Sequence, residues 1–227
     1  MTVTYHPNLV QGSDTWYAAR CGRLTASEMK LILTPTLKTA SNAAERAHVY
    51  ELAAQRITNY VEPSYIGEDM LRGIGEEIHA RALYASIYAP VEEVGFVTND
   101  EWGFTIGYSP DGLVGDDGLI ECKSRRQKFQ IEAIVTGAIP TEHMLQLQTG
   151  LLVTGRKWID YVSYSGGLPM KPIRVNPDPA MQAAIILAAT AFEARVAEVV
   201  ALYGTASKGL PPTERVVEQE MFIGEAA

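Results

Sequence analysis

Apolar residues follow two rhythms along this chain, and the change from one to the other divides it. From residue 14 to residue 88 they recur at the three-and-four spacing of a helix face. The segments are DTWYAAR (14–20), TASEMKLIL (25–33), NAAERAHVYELAAQRI (42–57) and EDMLRGIGEEIHARALYASIY (68–88). In the third, Asn42 and Glu45 stand at capping-box spacing. In the fourth, apolar side chains fall at 70, 71, 74, 78 and 83, and Gly73 and Gly75 predict a close approach by a neighbouring group. From Val91 the rhythm becomes that of strands, in VEEVGFVT (91–98), FTIGYSPDGLV (104–114) and GLIECKS (118–124), with Asp117 and Gly118 as turn residues. Helical spacing returns in HMLQLQTGLLVTG (143–155), followed by strands WIDYVSYS (158–165) and KPIRV (171–175) and a long helix from about Pro179 to Tyr203. The expected architecture is α/β or α+β, a central mixed sheet flanked by helices. At 227 residues, one domain spanning 1–227 with one main core is expected.

Composition narrows the function classes. With 47% apolar and 20% charged residues the chain reads as an ordinary globular protein. It has no apolar run near the roughly 18 to 20 residues needed to span a bilayer. Its start, MTVTYHPNLVQGSD, does not resemble a secretory signal, so an intracellular protein is expected. Cys21 and Cys122 are too few for a disulfide framework and lack CxxC spacing. Histidines at 6, 48, 79 and 143 show no ligand spacing, which argues against a histidine metal centre. The net charge of −8 opposes nucleic-acid binding in total, but totals conceal patches. Lys123, Arg125, Arg126 and Lys128 cluster, as do Arg20, Arg23 and Lys30, while acids gather in VEEV, NDE and the EQEMFIGEAA tail. Taken alone, such clusters also fit solvated faces.

The chemistry concentrates in SPDGLVGDDGLIECKSRR, residues 109–126. On a strand, residues two apart share a face, so Glu121 and Lys123 project together while Cys122 points away. The hairpin returns Asp111 towards that face. Two carboxylates among apolar neighbours are costly without a cation, and one lysine does not neutralise both. A surface ion pair is the simpler alternative. A hard divalent ion answers the arrangement better, because magnesium takes one or two carboxylates with waters and phosphate oxygens. Asp111, Glu121 and the backbone carbonyl of Cys122 would form that half-shell. Such a site suits phosphodiester hydrolysis, with Lys123 orienting or deprotonating the attacking water.

Several segments in order resemble the phage lambda exonuclease group, the YqaJ-type viral recombinase nucleases of the PD-(D/E)xK superfamily. They are WYAARCGRLTASE (16–28), RGIGEEIHAR (72–81), YSPDGL (108–113), LIECKS (119–124) and MLQLQTGLLVT (144–154). The resemblance implies a restriction-endonuclease-like core with Asp111 and Glu121 as metal ligands, Lys123 as catalytic lysine and Glu77 as a further acid beside the metal. It implies that Arg20, Ser27, Ser109 and Gln148 hold the terminal 5′-phosphate and that Met70 is an apolar wedge at the duplex end. Glu68 and Asp69 depart from the basic residues the group carries before this wedge, with Arg72 a partial substitute. By the same resemblance the activity is 5′-to-3′ digestion of double-stranded DNA ends to 5′-mononucleotides, with two Mg2+ ions that Mn2+ can replace. The 3′ single-stranded overhang would serve recombination. A homotrimeric ring, a single-strand annealing protein as partner and the cytoplasm of a bacterial host complete the expectation.

Two rival readings are a different PD-(D/E)xK nuclease, RecB-like or endonucleolytic, and a non-catalytic DNA-end-binding recombination module. The iron–sulfur form of the first needs about four cysteines, and this chain has two.

Overall fold

The computed structural model describes residues 2–63 and 68–215; of the side chains at 68–71 and 74 it gives no account. The acidic tail at 218–227 and the proposed wedge Met70, with Glu68 and Asp69, therefore lie outside the described residues and side chains.

Among the described residues, eight strands form two mixed four-stranded sheets. The first has the order β1 (Val3–His6), β3 (Phe96–Asn99), β4 (Ile106–Tyr108), β2 (Leu24–Thr25); the second runs β5 (Gly112–Val114), β6 (Gly118–Ser124), β7 (Trp158–Tyr164), β8 (Lys171–Val175). The fold class is the expected α+β one, but the single central sheet is divided. The division falls inside FTIGYSPDGLV. Pro110 has no N–H to give a ladder, so β4 stops at Tyr108 and β5 starts at Gly112 in the other sheet. Ser109 and Asp111 stand in the break.

In the second sheet β5 is antiparallel and β7 parallel to β6, and β8 closes the edge antiparallel to β7. Alternation along β6 sends Leu119 into a core shared with Ile159, Tyr161 and with Leu145, Leu147 and Leu151 of α6 (Thr141–Thr154). Ile120 and Cys122 face the other way, against Ala80 and Tyr84 of α4 (Glu68–Ile87). The larger core also takes Leu24, Val97 and Ile106 from the first sheet, Val49 and Leu52 from α3 (Ala43–Thr58), and Ile185, Phe192 and Val196 from α7 (Pro179–Ala206).

Local chemistry explains where the elements depart from expectation. The helix expected over 25–33 is replaced by strand residues Leu24–Thr25, a 3₁₀ turn Ala26–Glu28 and a short α2 (Met29–Ile32). Glu28 accepts hydrogen bonds from the Thr25 N–H (3.1 Å) and Oγ1 (2.7 Å), while Thr25 pairs with Gly107 as a strand residue. At α3, Asn42 caps the Glu45 N–H at 3.0 Å, but the buried Glu45 carboxylate takes Arg195 rather than returning to the cap. Among the described residues, nothing stands within 4 Å of where a Cβ on Gly73 or Gly75 would be. Gly150 is where a close approach occurs: a Cβ on it would come within 2.8 Å of the Tyr108 ring. That contact presses α6 onto β4 and sets the turn before it beside the acidic strand.

Candidate active site

Asp111 and Glu121 are 6% and 2% exposed, so both carboxylates are withdrawn from water. Asp111 Oδ2 accepts from the Cys122 backbone N–H at 2.5 Å. In a strand, the N–H and C=O of one residue face the same edge. The Cys122 carbonyl is therefore directed to the Asp111 side, beyond the last β5 partner of β6, Gly112 opposite Ile120. Glu121 Oε1 accepts from Lys123 Nζ (2.6 Å) and Gln146 Nε2 (2.5 Å), and its Oε2 from the Tyr108 hydroxyl (2.8 Å). A carboxylate has about four lone-pair sites, so Glu121 keeps one at Oε2.

The electrostatics mark a concentration of negative charge. Burial holds the Asp111 carboxyl well above the usual carboxylate range, and Glu121 and Glu77 push it further. Glu77 on α4 is also raised, by burial first, with Arg81 pulling the other way. Burial lowers the Lys123 ammonium, but Glu121 and Asp111 outweigh it, so Lys123 holds its proton more firmly than an ordinary lysine. His143, whose Nδ1 lies 3.0 Å from the Tyr161 hydroxyl, is pulled down to about 4 by burial and by Lys123, and stays neutral.

These residues fit a hard divalent cation. Buried carboxylates that repel one another and an outward carbonyl are the oxygen donors such an ion takes. Among the described residues no group of three or more His, Cys, Asp or Glu stands at metal-holding spacing. The donors that fit such an ion are two acids and a carbonyl.

A second cluster lies across the break after Tyr108. Arg20, at the end of α1 (Asp14–Arg20), reaches Ser109 Oγ (3.4 Å) and Thr25 Oγ1 (3.1 Å), and Ser27 Oγ stands 3.3 Å from the same Thr25 oxygen. Trp16 donates from Nε1 to Ser109 Oγ at 3.0 Å, and the Arg20 guanidinium lies over its ring at 4.3 Å. Ser109 Oγ thus accepts from two N–H donors, the Trp16 one shared with the Gly95 carbonyl (3.1 Å), and its own proton remains to be given. A guanidinium with two hydroxyls makes an anion pocket.

Gln148 requires correction. It is buried, donates to the Asn176 carbonyl (2.8 Å) and accepts from the Asp178 N–H (2.8 Å), which ties α6 to the start of α7. The glutamine at the site is Gln146. The helix explains the slip: residues two apart are turned by about 200°, so only one of the pair reaches the carboxylates. Gln148→Ala is expected to cost about 2 kcal/mol in urea melts, because it strands a carbonyl and an N–H, and to leave activity per folded molecule unchanged. Gln146→Ala should lower nucleotide release by about 10–100-fold, the usual cost of losing a group that orients a ligand.

Sequence reasoning also missed Arg81, which joins Glu77 (3.4 Å), Glu93 (3.2 Å) and the Asp111 carbonyl (3.1 Å). Its i,i+4 spacing from Glu77 was the available signal. Trp16 and Arg20 share the same spacing.

A proline break, an aspartate, and a glutamate and lysine two apart on a buried strand define the PD-(D/E)xK class. The model of the YqaJ-like viral recombinase domain matches residues 15–157, and the chain belongs to that family. Among solved structures it is similar to an alkaline exonuclease (LHK-Exo) from Laribacter hongkongensis, with 37% identity, 86% of this chain and 99% of that chain covered, and a TM-score of 0.76. The same protein in complex with dAMP gives 38%, 86%, 99% and 0.77. A phage related exonuclease from Haemophilus somnus 129PT shares the fold at 14% identity, covering 79% of this chain and 96% of that one, with a TM-score of 0.56. A search of curated proteins found no match.

Proposed function

We propose that this chain, folded as one nuclease domain, is a metal-dependent 5′-to-3′ exonuclease. It digests double-stranded DNA from its ends, releases 5′-mononucleotides and leaves a 3′ single-stranded tail for recombination. The observation that carries this reading is the placement of an anion pocket, Arg20, Ser27 and Ser109, across a three-residue break from the Asp111, Glu121 and Lys123 cluster. A terminal phosphate held in the first sets the next ester at the second, so each cut advances by one nucleotide. The family and the likeness to exonucleases support the nuclease assignment.

Asp111, Glu121 and the Cys122 carbonyl would hold magnesium, or manganese in its place, in one or two positions. When bound, the cation acidifies water and offsets charge on the leaving oxygen. Lys123 orients the attacking water, and its ammonium faces the charge that builds up on the phosphoryl oxygens. Gln146 and Tyr108 keep Glu121 fixed, and Glu77 with Arg81 closes the α4 side. Three copies in a ring would keep the DNA from leaving between cuts, and a single-strand annealing protein would take the emerging tail. No helix among the described residues is long and apolar enough to cross a membrane, and action on DNA in the bacterial cytoplasm is part of the proposal.

The test uses linear duplexes labelled at either terminus, with and without a 5′-phosphate and with magnesium or chelator. Release of 5′-labelled mononucleotide first, dependent on magnesium and faster by about 10-fold or more with a 5′-phosphate, is the expected result. Arg20→Ala should erase the phosphate preference. Nicking of closed circular DNA would favour an endonuclease, and DNA-end binding without release would favour a non-catalytic module.

A further inference from the structure

The helix that directly follows the catalytic strand, α5 (Gln127–Thr136), has no part in the mechanism above. In a chain of net charge −8 it starts in the basic cluster Lys123, Arg125, Arg126 and Lys128. Arg56 is answered by an acid, Glu193, at 2.8 Å. At α5 two cations instead lie against an aromatic ring: the Arg125 guanidinium is 5.0 Å and the Lys128 ammonium 4.8 Å from the centre of Phe129. That phenylalanine is 38% exposed, although such rings are usually hidden.

Its exposure does not come from a loose helix. Gln130, the next residue, is fully buried and donates to the carbonyls of Ser163 (3.1 Å) and Pro169 (2.7 Å), while accepting from Ser163 Oγ (2.6 Å). These bonds fasten α5 to β7 with Phe129 turned outward.

Position gives the ring its use. β6 has Asp111 and the anion pocket on its β5 flank, and β7 with α5 on the other. A strand whose terminal phosphate sits by Arg20, and whose next ester lies at Asp111 and Glu121, sends its following nucleotides towards α5. We propose that α5 binds the strand being cut on the 3′ side of the scissile ester, an unpaired base stacked on Phe129 and its phosphates beside Arg125 and Lys128. This inference rests on the nuclease reading above. Aromatic rings flanked by cations hold single strands of any sequence, because every base has a π-face. A base within a duplex has both faces covered by its neighbours, so the contact forms only where the end has opened, and it offsets part of the unpairing cost.

The test measures affinity by fluorescence anisotropy in the non-cutting Asp111→Asn protein. The probes are 5′-phosphorylated duplexes, either fully paired or with the first few nucleotides of the phosphorylated strand mismatched. Phe129→Ala is expected to weaken binding of the opened end by about tenfold and of the paired duplex by less than about twofold, and Phe129→Trp to retain it. Lys128→Gln should flatten the dependence of log affinity on log salt by about 0.7. Equal losses on both probes would overturn the proposal. So would unchanged DNA binding, which would give this face to a protein partner. The nuclease reading fails separately, if the unaltered protein releases no nucleotide from any end.

Discussion

Replacing Asp111 by asparagine is expected to abolish nucleotide release and, without divalent metal, to make the protein more stable at alkaline pH. The two effects have one cause. Asp111 is buried beside Glu121 and Glu77, and its carboxyl is held well above its ordinary range by burial and by those two acids. Below the unfolded-state value both states carry the proton and stability is unaffected. As pH rises past it, the unfolded chain releases the proton while the folded chain keeps it, so the unfolding free energy falls until the folded value is passed. The asparagine variant lacks the Asp111 share of that slope, and its amide oxygen can still accept the Cys122 N–H. Urea melts in chelator at pH 5, 7 and 9 should show the variant gaining about 1–2 kcal/mol on the unaltered protein as pH rises, the usual scale for relieving a functional site. Saturating magnesium should reverse the order, because only the unaltered protein gains from the ion. The fall in turnover should be on the order of a thousandfold or more, since the proposed cation site would lose a charged ligand where it must offset charge. A variant that is less stable in chelator at pH 9 would remove the argument for stored repulsion between these acids.

The legibility of this site in the sequence follows the same physics. Asp111, Glu121 and Lys123 could be read because a strand has a period of two and because polar residues among GLI and GLV are conspicuous. Arg20, Ser27 and Ser109 came from the resemblance, and the structure brings them together through Thr25 and Trp16. Gln148 was misread because α6 is buried nearly all round, with Leu145, Leu147, Thr149, Leu151 and Val153 all inside. Such a helix has no polar face to show which of two glutamines looks at the site. α5 was missed for the converse reason: its buried positions are Gln130 and Ala133, while Phe129, Ile131 and Val135 are exposed, which inverts the usual amphipathic signal. The division of the sheet at Pro110 was present in the residues, but whether a proline ends a strand or joins two sheets depends on partners distant in sequence.

Lys123→Ala is expected to lower hydrolysis by about 10²–10⁴-fold, the range for removing a group that manages the attacking nucleophile, while end binding survives. Binding should persist because the contacts proposed for the terminal phosphate lie with Arg20, Ser27 and Ser109, across the break from β6. Glu121 would keep Tyr108 and Gln146 as donors, so the carboxylate stays placed and the cation can still be held. Lys123→Arg should not restore the rate. A planar guanidinium cannot take the position of a compact ammonium 2.6 Å from one carboxylate oxygen, and it would tend to grip both oxygens of Glu121, including the one kept for the ion. Single-turnover release and end-binding anisotropy, measured on the same preparations, separate the two effects. Normal cutting by Lys123→Ala would move the attacking water to another residue, with Glu77 next in line at the α4 edge of the site.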